Sequence, residues 1–200
     1  MKLNYRYFFL LLISLQAFGQ NKVGNGGDVV RCKDKSPQVL DLFESSSTMT
    51  SDEPDYQKIV SERLELLAKA DLKLAKQYKS KFSQILSESE FKQNAKLVDI
   101  NDSEHLFLPK DCVLQQAAIR KNVTTKNEKT FLFDEDNWNQ LDALNKAVLI
   151  MHEIIYDHLY KLGERNSIKV RKINALLFSK NFSKKQFWDL IQDLKLPIYP

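Results

Sequence analysis

The chain has 200 residues, 43% of them apolar, and its 30 Lys and Arg stand against 26 Asp and Glu for a formal charge of +4. That length suits one domain with its own core and is short for two. No internal repeat or low-complexity tract interrupts it, which argues against a solenoid or a disordered chain.

Residues 1–19 read as an export signal: Lys2 and Arg6 supply positive charge, Tyr7 to Phe18 an apolar run, and Ala17-Phe18-Gly19 a cleavage site before Gln20. The run is about a dozen residues against the ~20 a membrane-spanning helix needs, so no transmembrane anchor is expected. There is no cysteine at the cleavage site to carry a lipid. Losing Lys2 and Arg6 brings the formal charge of residues 20–200 to about +2, close to neutral.

Gly24-Asn25-Gly26-Gly27 leads into a short strand at Asp28-Val29-Val30-Arg31-Cys32. A phosphate-cradling glycine loop follows a strand and opens a helix, and the order here is the reverse, which argues against nucleotide binding. A short helix is expected over 39–47 and a polar stretch from Thr48 to Glu53. From Pro54 to about Glu90, apolar residues at three, four and seven (Ile59, Val60, Leu64, Leu67, Leu74, Tyr78, Phe82, Ile85) indicate helix. Thirty-seven residues without a glycine is long for a compact domain, so a break is expected around Ala70 or Ser80.

Between Lys96 and Phe133 the pattern changes to short strands: Leu106 to Leu108, Cys112 to Ile119 and Thr130 to Phe133, arranged as a small antiparallel sheet. Cys32 and Cys112 are the only cysteines, and in an exported chain they are expected to pair; the alternative is two separate thiols. Asp134-Glu135-Asp136 reads as the capped start of a helical turn carrying Trp138, rather than as a calcium loop. Helices then follow from about Asp142 to Leu162, Ser167 to Ser179 and Ser183 to Leu194, with Gly163 as a C-terminal stop and Ser167 and Ser183 as N-caps.

Lys161 to Lys195 contains nine Lys or Arg against three acids, a face that could attract anionic polymers; the simpler reading is a solvated amphipathic surface. Phe178, Phe182, Phe187 and Trp188 fit helical core spacing better than a nucleic-acid surface, so no nucleic-acid partner is expected.

The chemistry concentrates at Met151-His152-Glu153-Ile154-Ile155-Tyr156-Asp157-His158. An HExxH zinc helix places two imidazoles on one face with a glutamate to activate water, and here Tyr156 occupies the second position. His158 does not replace it, because six residues leave it roughly 120° around the helix from His152. On a catalytic reading, His152 is a zinc ligand, Glu153 a base and Tyr156 a phenolic ligand or oxyanion donor, with His105 or His158 supplying a second imidazole. On a structural reading no cofactor is needed: Arg171 forks onto Glu153, and Asn174 reaches His152 or Tyr156, in a polar cluster joining the C-terminal helices.

The chain also resembles a group of uncharacterised exported bacterial proteins. The shared features are the signal, Gly-Asn-Gly-Gly-x-Val-Val-x-Cys (Gly24 to Cys32), Phe-x-Pro-x-Asp-Cys (Phe107 to Cys112) and Leu-x-x-His-Glu-x-x-Tyr (Leu149 to Tyr156). That resemblance implies export, the cysteine pairing and the same site candidates, and it supplies no activity. The likeness to zincin-type metalloproteases is confined to His152 and Glu153.

The expectation is therefore a helix-rich α+β single domain over residues 20–200 with a Cys32–Cys112 disulfide, exported to the periplasm or beyond and monomeric by default. Its expected role is non-catalytic binding of a protein or envelope polymer; the alternative is a divergent metallohydrolase.

Overall fold

A computed structural model describes residues 26–95, 97, 107–123, 125 and 127–199. The export signal, Gly24, Asn25, His105 and Leu106 lie outside the described residues. In chain order the elements are β1 (Asp28–Cys32), β2 (Gln38–Val39), α1 (Leu40–Phe43), α2 (Tyr56–Ala70), α3 (Leu72–Ile85), β3 (Ser89–Lys92), β4 (Cys112–Gln116), β5 (Ala118–Arg120), β6 (Phe131–Asp134), α4 (Glu135–Gln140), α5 (Ala143–Lys161), α6 (Ile168–Leu177) and α7 (Lys184–Asp193). This is a helix-rich α+β fold.

α5 is the axis of the molecule. Its residues from Ala147 to Leu159 are buried without exception, so it is wrapped on every side rather than amphipathic. Asp142 starts it by accepting a hydrogen bond from the Asn145 amide, and Gly163 ends it at φ +105°, a conformation that L side chains rarely adopt. α2, α3 and α6 pack around it.

The long helix expected from Pro54 breaks at Asp71, beside the first of the two anticipated points. The Asp71 backbone N–H closes α2 on the Leu67 carbonyl, while its carboxylate accepts from the Leu74 amide and caps α3. The helical run also stops at Ile85 rather than continuing to Glu90, and Ser89–Lys92 is strand β3.

The expected small antiparallel sheet is present as β2-β1-β4, and among the described residues a second three-stranded sheet, ordered β3-β6-β5, stands beside it. In the second, β3 runs parallel to β6, with Ser89 opposite Phe131, and β5 runs antiparallel to β6. The expected strand Cys112 to Ile119 is divided at Ala117, because the Gly27 carbonyl accepts from both Ala117 and Ala118 amides at 2.9 and 3.1 Å. That shared acceptor sends β4 into one sheet and β5 into the other. Phe107 and Leu108 lie in no strand, and the helix expected over 39–47 shrinks to α1 because Val39 pairs in β2.

Cys32 and Cys112 are directly opposite in the antiparallel β1–β4 pair and form a disulfide, with Cα atoms 4.0 Å apart. The expected pairing is present. No helix among the described residues is long and apolar enough to cross a membrane.

Of the expected caps, Asp134 and Ser183 accept from the amides of Asn137 and Gln186. Ser167 does not cap α6; its Oγ accepts from Arg171 Nη1 at 2.8 Å. The basic C-terminal stretch is partly compensated: Lys161 pairs with Asp157, Lys169 with Glu164, Arg171 with Glu44 and Lys185 with Asp189. Phe178 and Phe187 are core residues, and Trp188 donates its indole N–H to the Ala70 carbonyl.

Candidate functional site

α5 presents His152 toward α1, where its Nδ1 lies 3.0 Å from both oxygens of Asp41. Asn174 on α6 donates from Nδ2 to Asp41 Oδ2 at 2.6 Å and to the Val148 carbonyl at 2.9 Å. His152, Asp41 and Asn174 are all 0% exposed, so three elements distant in sequence meet at a dry ionic pair.

The electrostatics of the pair follow from that geometry. Burial alone would lower the His152 pKa, but the charge and hydrogen bond of Asp41 outweigh it and push it up to about 9. Burial alone would raise the Asp41 pKa; His152, Asn174 and Arg171 hold it below the ordinary carboxylate value. At neutral pH the pair is an imidazolium donating from Nδ1 to a carboxylate. Among the described residues His152 Nε2 has no hydrogen-bond partner.

Glu153 points to the opposite flank, against the chain that enters β1. Its Oε1 accepts from the Gly27 amide at 2.7 Å, and its Oε2 has no hydrogen-bond partner among the described residues. Burial raises the Glu153 pKa to about 7, partly offset by His152 and the Gly27 amide. The approach is close: a Cβ on Gly27 would sit 2.1 Å from Leu149 Cδ1, and one on Gly26 would sit 2.0 Å from the Ala118 carbonyl oxygen. Gly26→Ala meets immovable backbone and Gly27→Ala meets the far end of a leucine. Expected costs are about 3 and about 1 kcal/mol respectively, read from urea midpoints.

Tyr156 is fully buried, with its hydroxyl 3.5 Å from the Arg165 carbonyl and its ring centroid 6.4 Å from that of His152. The structure thus places His152, Glu153 and Tyr156 on one buried stretch of α5 without converging them on a common point. Two expected contacts are corrected. Arg171 does not fork onto Glu153; it donates to Glu44 at 2.9 Å and to Ser167. Asn174 reaches neither His152 nor Tyr156, because Asp41 stands between α5 and α6 and takes its amide.

His158 belongs to another cluster, in which its Nδ1 lies 2.9 Å from the Tyr78 hydroxyl. Next to it, buried Asp157 holds Arg120, Lys161 and Lys81 at 2.8, 2.6 and 3.5 Å. Among the described residues no three His, Cys, Asp or Glu side chains are placed to hold a metal, and both cysteines are in the disulfide. Among the described residues, the groups around His152 are one carboxylate, Asp41, and one amide, Asn174, which do not make up a zinc ligand set.

Sequence reasoning missed Asp41, Glu44 and the Gly27 amide. A signal for Asp41 was present, since it is a lone acid inside the apolar run Val39-Leu40-Asp41-Leu42-Phe43. No family model matches the chain, nor does any curated protein or solved structure.

Proposed function

We propose that this is an exported, non-catalytic binding protein whose partner is a protein or an envelope polymer, with the His152-Glu153 segment acting as a structural join. One observation carries the reading. Glu153, the base of any zincin-like mechanism, is 0% exposed and uses Oε1 to hold the Gly27 amide, so its carboxylate does not meet solvent. The Asp41–His152 pair then ties α1 and α6 to α5, and Glu153 ties the start of β1 to the same helix.

Export is supported by the charged-then-apolar residues 1–19 and by a disulfide that persists in oxidising compartments. The resemblance to uncharacterised exported bacterial proteins belongs to the same proposal.

A divergent metallohydrolase is the second reading, and one feature favours it. A carboxylate on Nδ1 with Nε2 unengaged is the arrangement that orients a metal-ligating histidine. Metal analysis of protein purified without a polyhistidine tag separates the two. The expected result is no stoichiometric zinc and no change in metal content in His152→Ala. Stoichiometric zinc lost in His152→Ala overturns the non-catalytic reading.

A further inference from the structure

The outer face of the α2–α3 hairpin is an apolar groove of about 260 Å³ lined by Leu64, Ala68, Leu72, Ala75 and Phe82. Leu72 is 57% exposed, an unusual place for a large aliphatic side chain on a helix whose other face is buried. The rims carry opposite charge: Glu65 lines the α2 side, and Lys76 and Lys79 line the α3 side. All three are exposed, and among the described residues none of them makes an ion pair.

An apolar groove with one acidic and one basic rim is complementary to itself. We propose that it docks against the same groove of a second copy, so that two hairpins form a four-helix bundle. This stands apart from the reading of the His152 cluster and replaces the monomer expected from the sequence.

Electrostatics select the symmetry axis. A two-fold axis parallel to the helices sets α2 of one copy over α3 of the other and preserves level along the bundle. Glu65 and Lys79 line the same stretch of groove in one chain, so this axis brings Glu65 of each copy against Lys76 and Lys79 of the other. An axis across the helices would put α2 over α2 and oppose like charges, which is unfavourable. The exposed Leu72 side chains are covered in the process.

The footprint sets the strength. α2 and α3 have 15 and 14 residues, so the face is about 21 Å long and about two helix diameters wide, near 400 Å² per copy. Counting both copies, that is about 800 Å², below the ~1,000 Å² of stable specific interfaces, and it corresponds to a weak, transient dimer populated toward ~100 µM.

Sedimentation equilibrium on the full mature protein, from about 1 to about 100 µM, tests this. Wild type is expected to pass from monomer to dimer across that range, and Leu72→Glu to remain monomeric. Glu65→Lys is expected to raise Kd about tenfold or more, and Glu65→Lys combined with Lys76→Glu and Lys79→Glu to restore it. Each altered side chain is exposed, so far-UV circular dichroism and the thermal midpoint should match wild type at about 1 µM, where both are monomeric. Wild type monomeric at about 100 µM, Leu72→Glu still dimeric, or Glu65→Lys without effect each overturns the proposal.

Discussion

Removing the Cys32–Cys112 bridge, by reduction or by replacing both cysteines with serine, lowers the free energy of unfolding by about 4.5 kcal/mol. The bridge closes a loop over a sequence separation of 80, and the chain-entropy relation assigns a restriction of that magnitude to the unfolded state. For a domain whose total stability is about 5–15 kcal/mol, the loss is about 30% or more of the whole. Its structural consequence is directional. β1 is held by β4 and the two-residue β2, and it begins beside Gly27, whose amide occupies Glu153. With the bridge gone, β1 is the element expected to loosen first, and amide hydrogens of Val29 and Val30 should exchange faster than those of α5. Urea unfolding with and without reductant measures the stability term, and coincident midpoints would show that the bridge adds nothing. The slope of free energy against urea is also expected to rise on reduction, because the unfolded chain becomes less compact.

The disulfide was legible because a chain with two cysteines has one intramolecular pairing available. α5 was legible for a comparable reason: its apolar residues recur so densely from Leu144 to Leu159 that no other period fits. Its caps, Asp142 and Gly163, are local chemistry as well. What failed were the features decided by contacts between distant segments. Ser89-Glu90-Phe91-Lys92 continues a helical pattern and becomes strand because β6, some forty residues on, offers a parallel edge with Phe133 stacked on Phe91 at 5.0 Å. Ala117 looks like the interior of one strand until Gly27 bonds two successive amides there.

The candidate site divides along the same line. His152, Glu153 and Tyr156 stand out in the sequence by their spacing, whereas Asn174, expected on His152 or Tyr156, donates to Asp41 and the Val148 carbonyl. The partners were misassigned because α1, a single turn more than one hundred residues away, inserts Asp41 between α5 and α6. Arg171, displaced from Glu153, satisfies Glu44 and Ser167 at the same end of α6. No helical periodicity encodes that insertion.

Asp41→Ala is expected to destabilise the protein by about 3–5 kcal/mol at pH 6, since it leaves the imidazole of His152 and the amide of Asn174 in a dry site without their acceptor. The pH profile shows whether charge or packing is responsible. His152 has its pKa raised from 6.5 to about 9, so its contribution is complete below about pH 6.5 and is lost as pH rises through about 9. Glu153, raised from 4.5 to about 7, acts in the same direction: folding favours its protonated form, and that contribution is lost as pH rises through about 7. Asp41 is lowered from 3.8 and sets the acid limit, its contribution disappearing as pH falls through the depressed value. His158, lowered from 6.5 by burial and by Lys161, opposes the trend mildly by favouring its neutral form as pH rises. Wild type should therefore be more stable at pH 5.5 than at pH 9, an unusual slope for a domain in which buried Asp157 also has a depressed pKa. In Asp41→Ala the decline between about pH 6.5 and 9 should vanish. In Glu153→Gln the decline between about pH 4.5 and 7 should vanish while the Gly27 hydrogen bond survives on the amide oxygen. Equal urea midpoints for wild type at pH 5.5 and pH 9 would rule out a buried imidazolium, and with it the account of why α1, α5 and α6 meet in one register. A buried ion pair of this kind contributes modestly to net stability compared with an apolar substitute. Its larger effect is to penalise every arrangement in which Asp41 and His152 do not face each other.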